Sequence, residues 1–361
     1  MLINIQFLRM VAAMLVVFYH TSAHVRSSGA DQGAFFAVSE AVGFAGVDIF
    51  FVISGFIMAH TSLTASGLEN GWAFLRRRVA RIYSGYWPFF LLAIVLYAWV
   101  DQQYLQDAKL IRSAILWPAY PLLIAVSWTL IFEMFFYLLF TLIIILTERK
   151  RQLLLFSLFL LISSFVLYSE FVRHAYQPGR LEYMGIAEYY MLSPYLLQFL
   201  GGALLAGWLQ RPATHSAMAW GAALLIVGSS LFLLGGWINN HFFEGGIEQG
   251  YSVFYRVLVF GGPSLLILAG LVRLDQAGFR APVKFSLLTG GASYAIYLSH
   301  TLILVGMQKL GFNEFAGALG DWSRMAVYLA LMLAILAYSL LHYRLIERPL
   351  HRRFKRWLRL P

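Results

Sequence analysis

Residues 122–147 read LLIAVSWTLIFEMFFYLLFTLIIILT, 26 positions with one charged side chain, Glu133. The hydrocarbon core of a bilayer takes about 20 apolar residues as a helix, so this stretch is long enough to cross it. Comparable runs lie on either side, near 3–24, 42–60, 84–100, 153–169, 191–209, 217–236, 252–272, 286–308 and 323–343, which makes ten in all. Between two of them, 101–121 leaves room for a partial or re-entrant segment. The chain has 361 residues, 60% hydrophobic and 12% charged, against roughly 25% charged in soluble domains. So few charges cannot cover a soluble surface of this length. The predicted fold class is an all-α membrane protein, a polytopic bundle of about ten transmembrane helices. It is expected to form one integral-membrane domain over 1–361 with no appended soluble domain.

The apolar run at Leu2–Tyr19 has Arg9 in its middle, not ahead of it, and no small-residue cleavage site follows. It reads as a permanent span and not as a signal peptide. The formal charge of +10 is gathered in short basic clusters between apolar runs. That pattern belongs to a membrane surface, and no nucleic-acid partner is expected. Ten spans put both termini on one side. The segments on that side hold 18 lysines and arginines against 8 on the other, with Arg256 counted among the 8, so both termini are expected in the cytoplasm. The absence of cysteine excludes disulfides, thiolate metal sites and an acyl-cysteine intermediate.

Charged and polar residues inside the spans argue against a mere anchor, because each ionised group costs roughly 2.5–3.5 kcal/mol at a helix centre. Arg9 and His20 are 11 residues apart on the first span. They share a face to within about 20° and are separated by roughly 16 Å. The second span carries Asp48 and Ser54-Gly55, and small residues such as the latter also serve close helix packing. Glu133 and Tyr137 face the same way at i,i+4, and Ser293, Tyr297 and His300 form a stripe at i, i+4, i+7. Counted at 1.5 Å per residue from the terminal side, Arg9 and Ser54 lie roughly 9 Å deep and Asp48 about 18 Å. Glu133 and His300 come out at about 21 Å and His20 at about 25 Å. Asp48, Glu133, His300 and His20 are thus predicted to form one layer suited to a reaction chamber or substrate path.

At the mouth of this layer stands Arg76-Arg77-Arg78-Val79-Ala80-Arg81. It reads either as a topogenic anchor or as a phosphate grip, since Arg78 and Arg81 share a face and guanidinium forks bind phosphate bidentately. On the far side, Glu170, Glu182 and Glu188 occur with Tyr176, Tyr183, Tyr189 and Tyr190, and Trp237, Asn239, Asn240 and His241 are expected in the next outer loop. Both sets fit a sugar platform and an interfacial aromatic belt equally.

The ordered set of motifs resembles the acyltransferase-3 family of bacterial integral-membrane O-acyltransferases. It comprises Arg9 with His20, Gly46–Asp48–Phe51–Ser54–Gly55, Arg78-x-x-Arg81-Ile82-Tyr83, Trp128-Thr129-Leu130 with Glu133 and Phe136-Tyr137, Ser293-Tyr294 with Tyr297-Leu298 and His300, and Glu347-Arg348-Pro349. Ser84 stands where many relatives carry proline. The resemblance implies a multi-pass protein of the bacterial inner membrane. It would transfer an acyl group, acetyl expected, from cytoplasmic acyl-CoA to a hydroxyl of a cell-surface polysaccharide or lipid-linked sugar. In that reading His20 is the general base, oriented by Asp48 or Glu133, and Arg9 positions the donor or stabilises the oxyanion. Arg77, Arg78 and Arg81 hold the CoA phosphates, Ser54 lines the donor path, and Tyr137, Tyr297 and His300 meet the substrate. The implied partners are the bilayer, acyl-CoA (acetyl-CoA) as donor co-substrate and the glycan acceptor, with no metal and no resident cofactor. A glycolipid or small-anion transporter and a non-catalytic assembly subunit are the competing readings, and both tolerate loss of His20.

Overall fold

The structure, a computed structural model, describes residues 2–27, 33–62, 65–146, 150–175, 185–210, 216–243 and 253–358. Tyr176, Glu182 and Tyr183 of the outer aromatic segment, and the basic residues Arg149, Arg180 and Arg211, lie outside the described residues. Every regular element among those described is helical.

The chain opens with α1 (Ile3–Ser27), followed by α2 (Gly33–Gly43) and α3 (Gly46–Thr61), which meet at a 41° bend. After α4 (Gly67–Val100) come two short helices, α5 (Gln102–Asp107) and α6 (Leu110–Ala114), where sequence left room for a partial segment. Then follow α7 (Trp128–Leu146), α8 (Arg151–Phe171), the short α9 (Ile186–Met191), α10 (Tyr195–Trp208) and α11 (Ala217–Phe242). A further span begins with α12 (Val253–Arg256), passes through a π-turn at Val257–Gly261 and continues as α13 (Gly262–Gln276). Next, α14 (Val283–Gly291) and α15 (Ser293–Lys309) form a second bent pair, at 52°. The chain closes with α16 (Phe312–Gly317), α17 (Asp321–His342), a π-turn at Tyr343–Glu347 and α18 (Arg348–Trp357).

Eight of these stretches are long and apolar enough to cross a membrane, and ten if each bent pair counts as one span. The sequence count of about ten therefore stands. Large apolar side chains on the long helices point outward, among them Leu91, Val95, Leu142, Leu161, Ile226 and Leu333. Lipid is the solvent in which such a surface is stable, because the backbone polar groups are satisfied within the helices. One expectation changes. Trp237, Asn239, Asn240 and His241 are not in a loop but in the last turns of α11, where the Trp237 and His241 rings stack 4.6 Å apart.

The chain divides into two compact units. The first holds residues 1–12, 45–75 and 132–290, and the second 13–44, 76–131 and 291–361. In the first, α3 and α10 are pressed together through two glycines. A Cβ on Gly55 would stand 1.9 Å from the carbonyl oxygen of Phe199, and one on Gly202 would stand 2.1 Å from that of Val52. Neither position can hold a side chain without driving the backbones apart. A buried arginine ties down the chain at the end of α3: Arg151 donates to the carbonyls of Ser62 and Ala65. In the second unit Tyr294 of α15 lies over Gly85 of α4, where a Cβ would come 2.5 Å from the ring. The Tyr294 hydroxyl donates to the carbonyl of Ile82 at 3.3 Å.

Candidate active site

Within the second unit, α1 and α15 bring two imidazoles together. Nε2 of His300 is 3.1 Å from Nδ1 of His20, with ring centroids 4.9 Å apart. His20 Nδ1 also lies 2.9 Å from the Val16 carbonyl, and His300 Nδ1 lies 3.2 Å from that of Ile296. A carbonyl oxygen only accepts, so these contacts assign the proton to Nδ1 on both neutral rings. His300 Nε2 is then an acceptor that shares the His20 N–H with Val16. His20 Nε2 is left with its lone pair, the state a general base needs. The expected stripe on α15 faces inward: Ser293, Tyr297 and His300 are all buried. Tyr297 is engaged with protein partners, its hydroxyl 2.9 Å from Thr129 Oγ1 and donating to the Val126 carbonyl at 3.0 Å.

The basic stretch on α4 lies in the same unit and is not uniform. Arg76 and Arg77 are exposed and Arg78 half-buried. Arg81 sits with its Nη1 3.1 Å from Oε1 of Glu347, a fully buried carboxylate. Ser84 has its hydroxyl 3.2 Å from His351 Nδ1.

In the first unit, Glu133 is the hub of a small network. Its Oε1 accepts from Ser54 Oγ at 3.0 Å and from the Tyr137 hydroxyl at 2.5 Å. This corrects the depth layer in one respect. Ser54 and Glu133, expected about 12 Å apart in depth, are hydrogen-bonded neighbours. The helices tilt and do not start from one plane, so counting residues from a span's end misplaces side chains. Asp48, fully buried on α3, accepts from Arg256 Nε at 3.0 Å and Nη2 at 2.8 Å through one oxygen, and from Gln198 Nε2 at 2.5 Å through the other. Arg256 is not an outer-loop cation as counted from sequence. It is 3% exposed, and its guanidinium lies 5.4 Å from the Tyr195 ring centroid. Arg9, half-buried on α1, donates to Gln6 at 3.4 Å.

Comparison with known proteins gives the family. The profile described as an acyltransferase domain matches residues 2–344. The chain belongs to the acyltransferase-3 family. It is 27% identical over 329 residues to the exopolysaccharide production protein ExoZ of Rhizobium meliloti (strain 1021), a match covering 86% of this chain and 90% of that protein. No solved structure matches. As a member of that family, the chain is a membrane-embedded acyltransferase. Sequence reasoning singled out each side chain of the His20–His300 and Ser54–Glu133–Tyr137 clusters and set Glu133 with Tyr137, but it did not pair His20 with His300 or Ser54 with Glu133. It missed Gln198 and Arg256 as partners of Asp48. Both are polar residues set within apolar runs, and that is the signal that could have exposed them.

Proposed function

We propose that the protein transfers an acyl group, acetyl in the first instance, from cytoplasmic acyl-CoA to a hydroxyl of an exopolysaccharide or of its lipid-linked precursor. The observation that carries this reading is the His20–His300 pair, whose contacts leave an unprotonated nitrogen on His20. Family membership supplies the reaction class, and the printed name of the Rhizobium relative directs the choice of acceptor toward exopolysaccharide.

His20 Nε2 takes the proton of the acceptor hydroxyl as its oxygen attacks the thioester carbonyl. The tetrahedral oxyanion collapses with cleavage of the C–S bond and formation of the ester C–O bond. The departing CoA thiolate recovers the proton from the His20 imidazolium. His300 is a positioning residue that fixes the His20 tautomer. Arg77 and Arg78, one exposed and one half-buried, hold the CoA phosphates, with Arg81 paired to Glu347 on the same helix face as Arg78. Arg9, 11 residues before His20 on α1, is assigned to the donor. Ser54 is assigned to the donor, with Glu133 and Tyr137 as its hydrogen-bond network, and Asp48 supports the first unit through Arg256. Both termini lie in the cytoplasm, where the donor is made. The test is purified protein with labelled acetyl-CoA and a panel of free and lipid-linked glycans. Label should move to glycan, and His20→Ala should abolish the transfer. Transfer at the normal rate by His20→Ala would remove the proposed base.

A further inference from the structure

The second unit holds a cleft that the motifs do not touch. It is about 260 Å³ in volume, lined by Val25 near the end of α1, Ala34 and Phe36 of α2, and Asp321, Trp322 and Arg324 of α17. Its chemistry is mixed in a particular way. Phe36 is fully buried and meets the buried Tyr328 ring edge-on at 5.9 Å, giving a rigid apolar wall. Trp322 is 89% exposed, an indole with almost none of its surface covered by protein. Asp321, also open, has one oxygen 3.2 Å from Arg324 Nη1. Arg324 is itself buried and anchored by donating to the carbonyls of Leu319 at 2.7 Å and Ala316 at 3.3 Å. One carboxylate oxygen is thus paired with an anchored guanidinium while the Asp321 side chain stays open. Val25 follows His20 by five residues on α1, a rise of about 8 Å. The five residues also turn the helix by about 140°, so the cleft lies one to two turns along α1 from His20 and on a different face of that helix.

We infer that this cleft binds one residue of a saccharide acceptor. A pyranose has an apolar C–H face that stacks on an indole and a ring of hydroxyls that donate to a carboxylate. The walls here supply one flat aromatic, one oriented carboxylate and a buried apolar floor, which is that combination. An acyl chain would find Asp321 and Arg324 costly to desolvate. A polyanionic guest would be repelled by Asp321. This inference rests on the acyltransferase reading above and extends it by giving the acceptor a place.

The experiment uses the full-length protein in lipid nanodiscs and oligosaccharides cut from the producing bacterium's own exopolysaccharide after chemical removal of its O-acyl groups. Binding is read by saturation-transfer NMR, which needs no turnover, and transfer is read from labelled acetyl-CoA. Trp322→Ala and Ala34→Trp are surface changes. Trp322→Ala removes the stacking platform, and Ala34→Trp fills the mouth. Both should weaken oligosaccharide binding and raise the acceptor KM roughly tenfold or more, the loss expected when an aromatic anchor is truncated. The KM for acetyl-CoA should not move. Asp321→Asn should weaken binding less. His20→Ala should bind oligosaccharide as the wild type does while failing to transfer. If wild-type protein binds the oligosaccharide but moves no label, the acyltransferase reading fails and the cleft stands. If label moves and both Trp322→Ala and Ala34→Trp keep the wild-type acceptor KM, the cleft assignment is overturned and Trp322 is an interfacial anchor.

Discussion

Asp48 separates a structural from a catalytic carboxylate, and the geometry gives the size of the effect. Replacing Asp48 with Asn keeps the shape and removes the charge. Arg256, 3% exposed, then stays buried without its counter-ion after losing two charged contacts at 3.0 and 2.8 Å. Breaking a buried pair from one side costs about 3–5 kcal/mol, because the remaining charge is uncompensated. At tenfold per 1.4 kcal/mol, this is a drop of roughly two to nearly four orders of magnitude in the folding equilibrium. Replacing both partners with apolar residues, Asp48→Leu with Arg256→Met, removes the stranded charge. It should recover most of the loss, as such swaps in buried pairs are neutral or better. The assay is the melting temperature of each purified variant in one detergent, followed by the rate of label transfer from acetyl-CoA. The expected order is wild type and double variant together, with Asp48→Asn well below. A wild-type melting temperature for Asp48→Asn would refute the structural account. If that variant melted normally and transferred nothing, Asp48 would belong to the chemistry.

His20→Ala should lower transfer by roughly 10²–10⁴-fold, the usual share of a general base. His300→Ala should lower kcat by less and leave the KM for acyl-CoA unchanged in initial-rate measurements. Gly202→Leu, whose Cβ alone would meet the Val52 carbonyl at 2.1 Å, should yield no monodisperse protein on size exclusion. Gly262→Ala, with no heavy atom within 4 Å of the new carbon, should behave as wild type. Arg77→Ala with Arg78→Ala should raise the KM for acyl-CoA and flatten its dependence on salt with kcat retained, since exposed phosphate contacts are screened. Tyr137→Phe removes a hydrogen bond to the Glu133 carboxylate, worth about 1.5–3 kcal/mol. It should lower the melting temperature more than Ser54→Ala, whose contact is the longer.

The spans were legible because a bilayer demands long unbroken apolar runs, a signal that survives without tertiary information. The stripe of Ser293, Tyr297 and His300 was legible for a similar reason, since one helix fixes its own faces. What one helix cannot reveal is the partner on another. Glu133 was found with Tyr137, four residues on, but not with Ser54, 79 residues earlier in the chain. Asp48 announced itself as a buried charge in need of pairing, yet its partners stand 150 and 208 residues away. The depth count that grouped Asp48 with His20 assumed upright helices starting from a shared plane. The Ser54–Glu133 contact shows how far tilt breaks that assumption.

Two π-turns re-aim the helices that follow them. Each puts one extra residue into a helix and turns everything beyond it by about 100°. Before the first, Arg256 is aimed at Asp48 on α3; after it, Ser264, Ile267 and Leu268 are buried on α13. Before the second, Tyr328, Met332, Ile335, Ser339 and His342 form the buried face of α17. At its end Glu347 is fully buried against Arg81, while α18 beyond buries nothing. In both places a charge that must be paired inside an apolar medium sits beside the π-turn. At 100° per residue an unbroken α-helix would turn Glu347 well away from the face of Ile335, Ser339 and His342, and the extra residue brings it back. Arg256 falls within about 20° of the buried Ile267 even without the extra residue, so its miscount has another cause. Its place near the start of its span assigns it to the outer side, while its guanidinium is held on Asp48 inside the first unit.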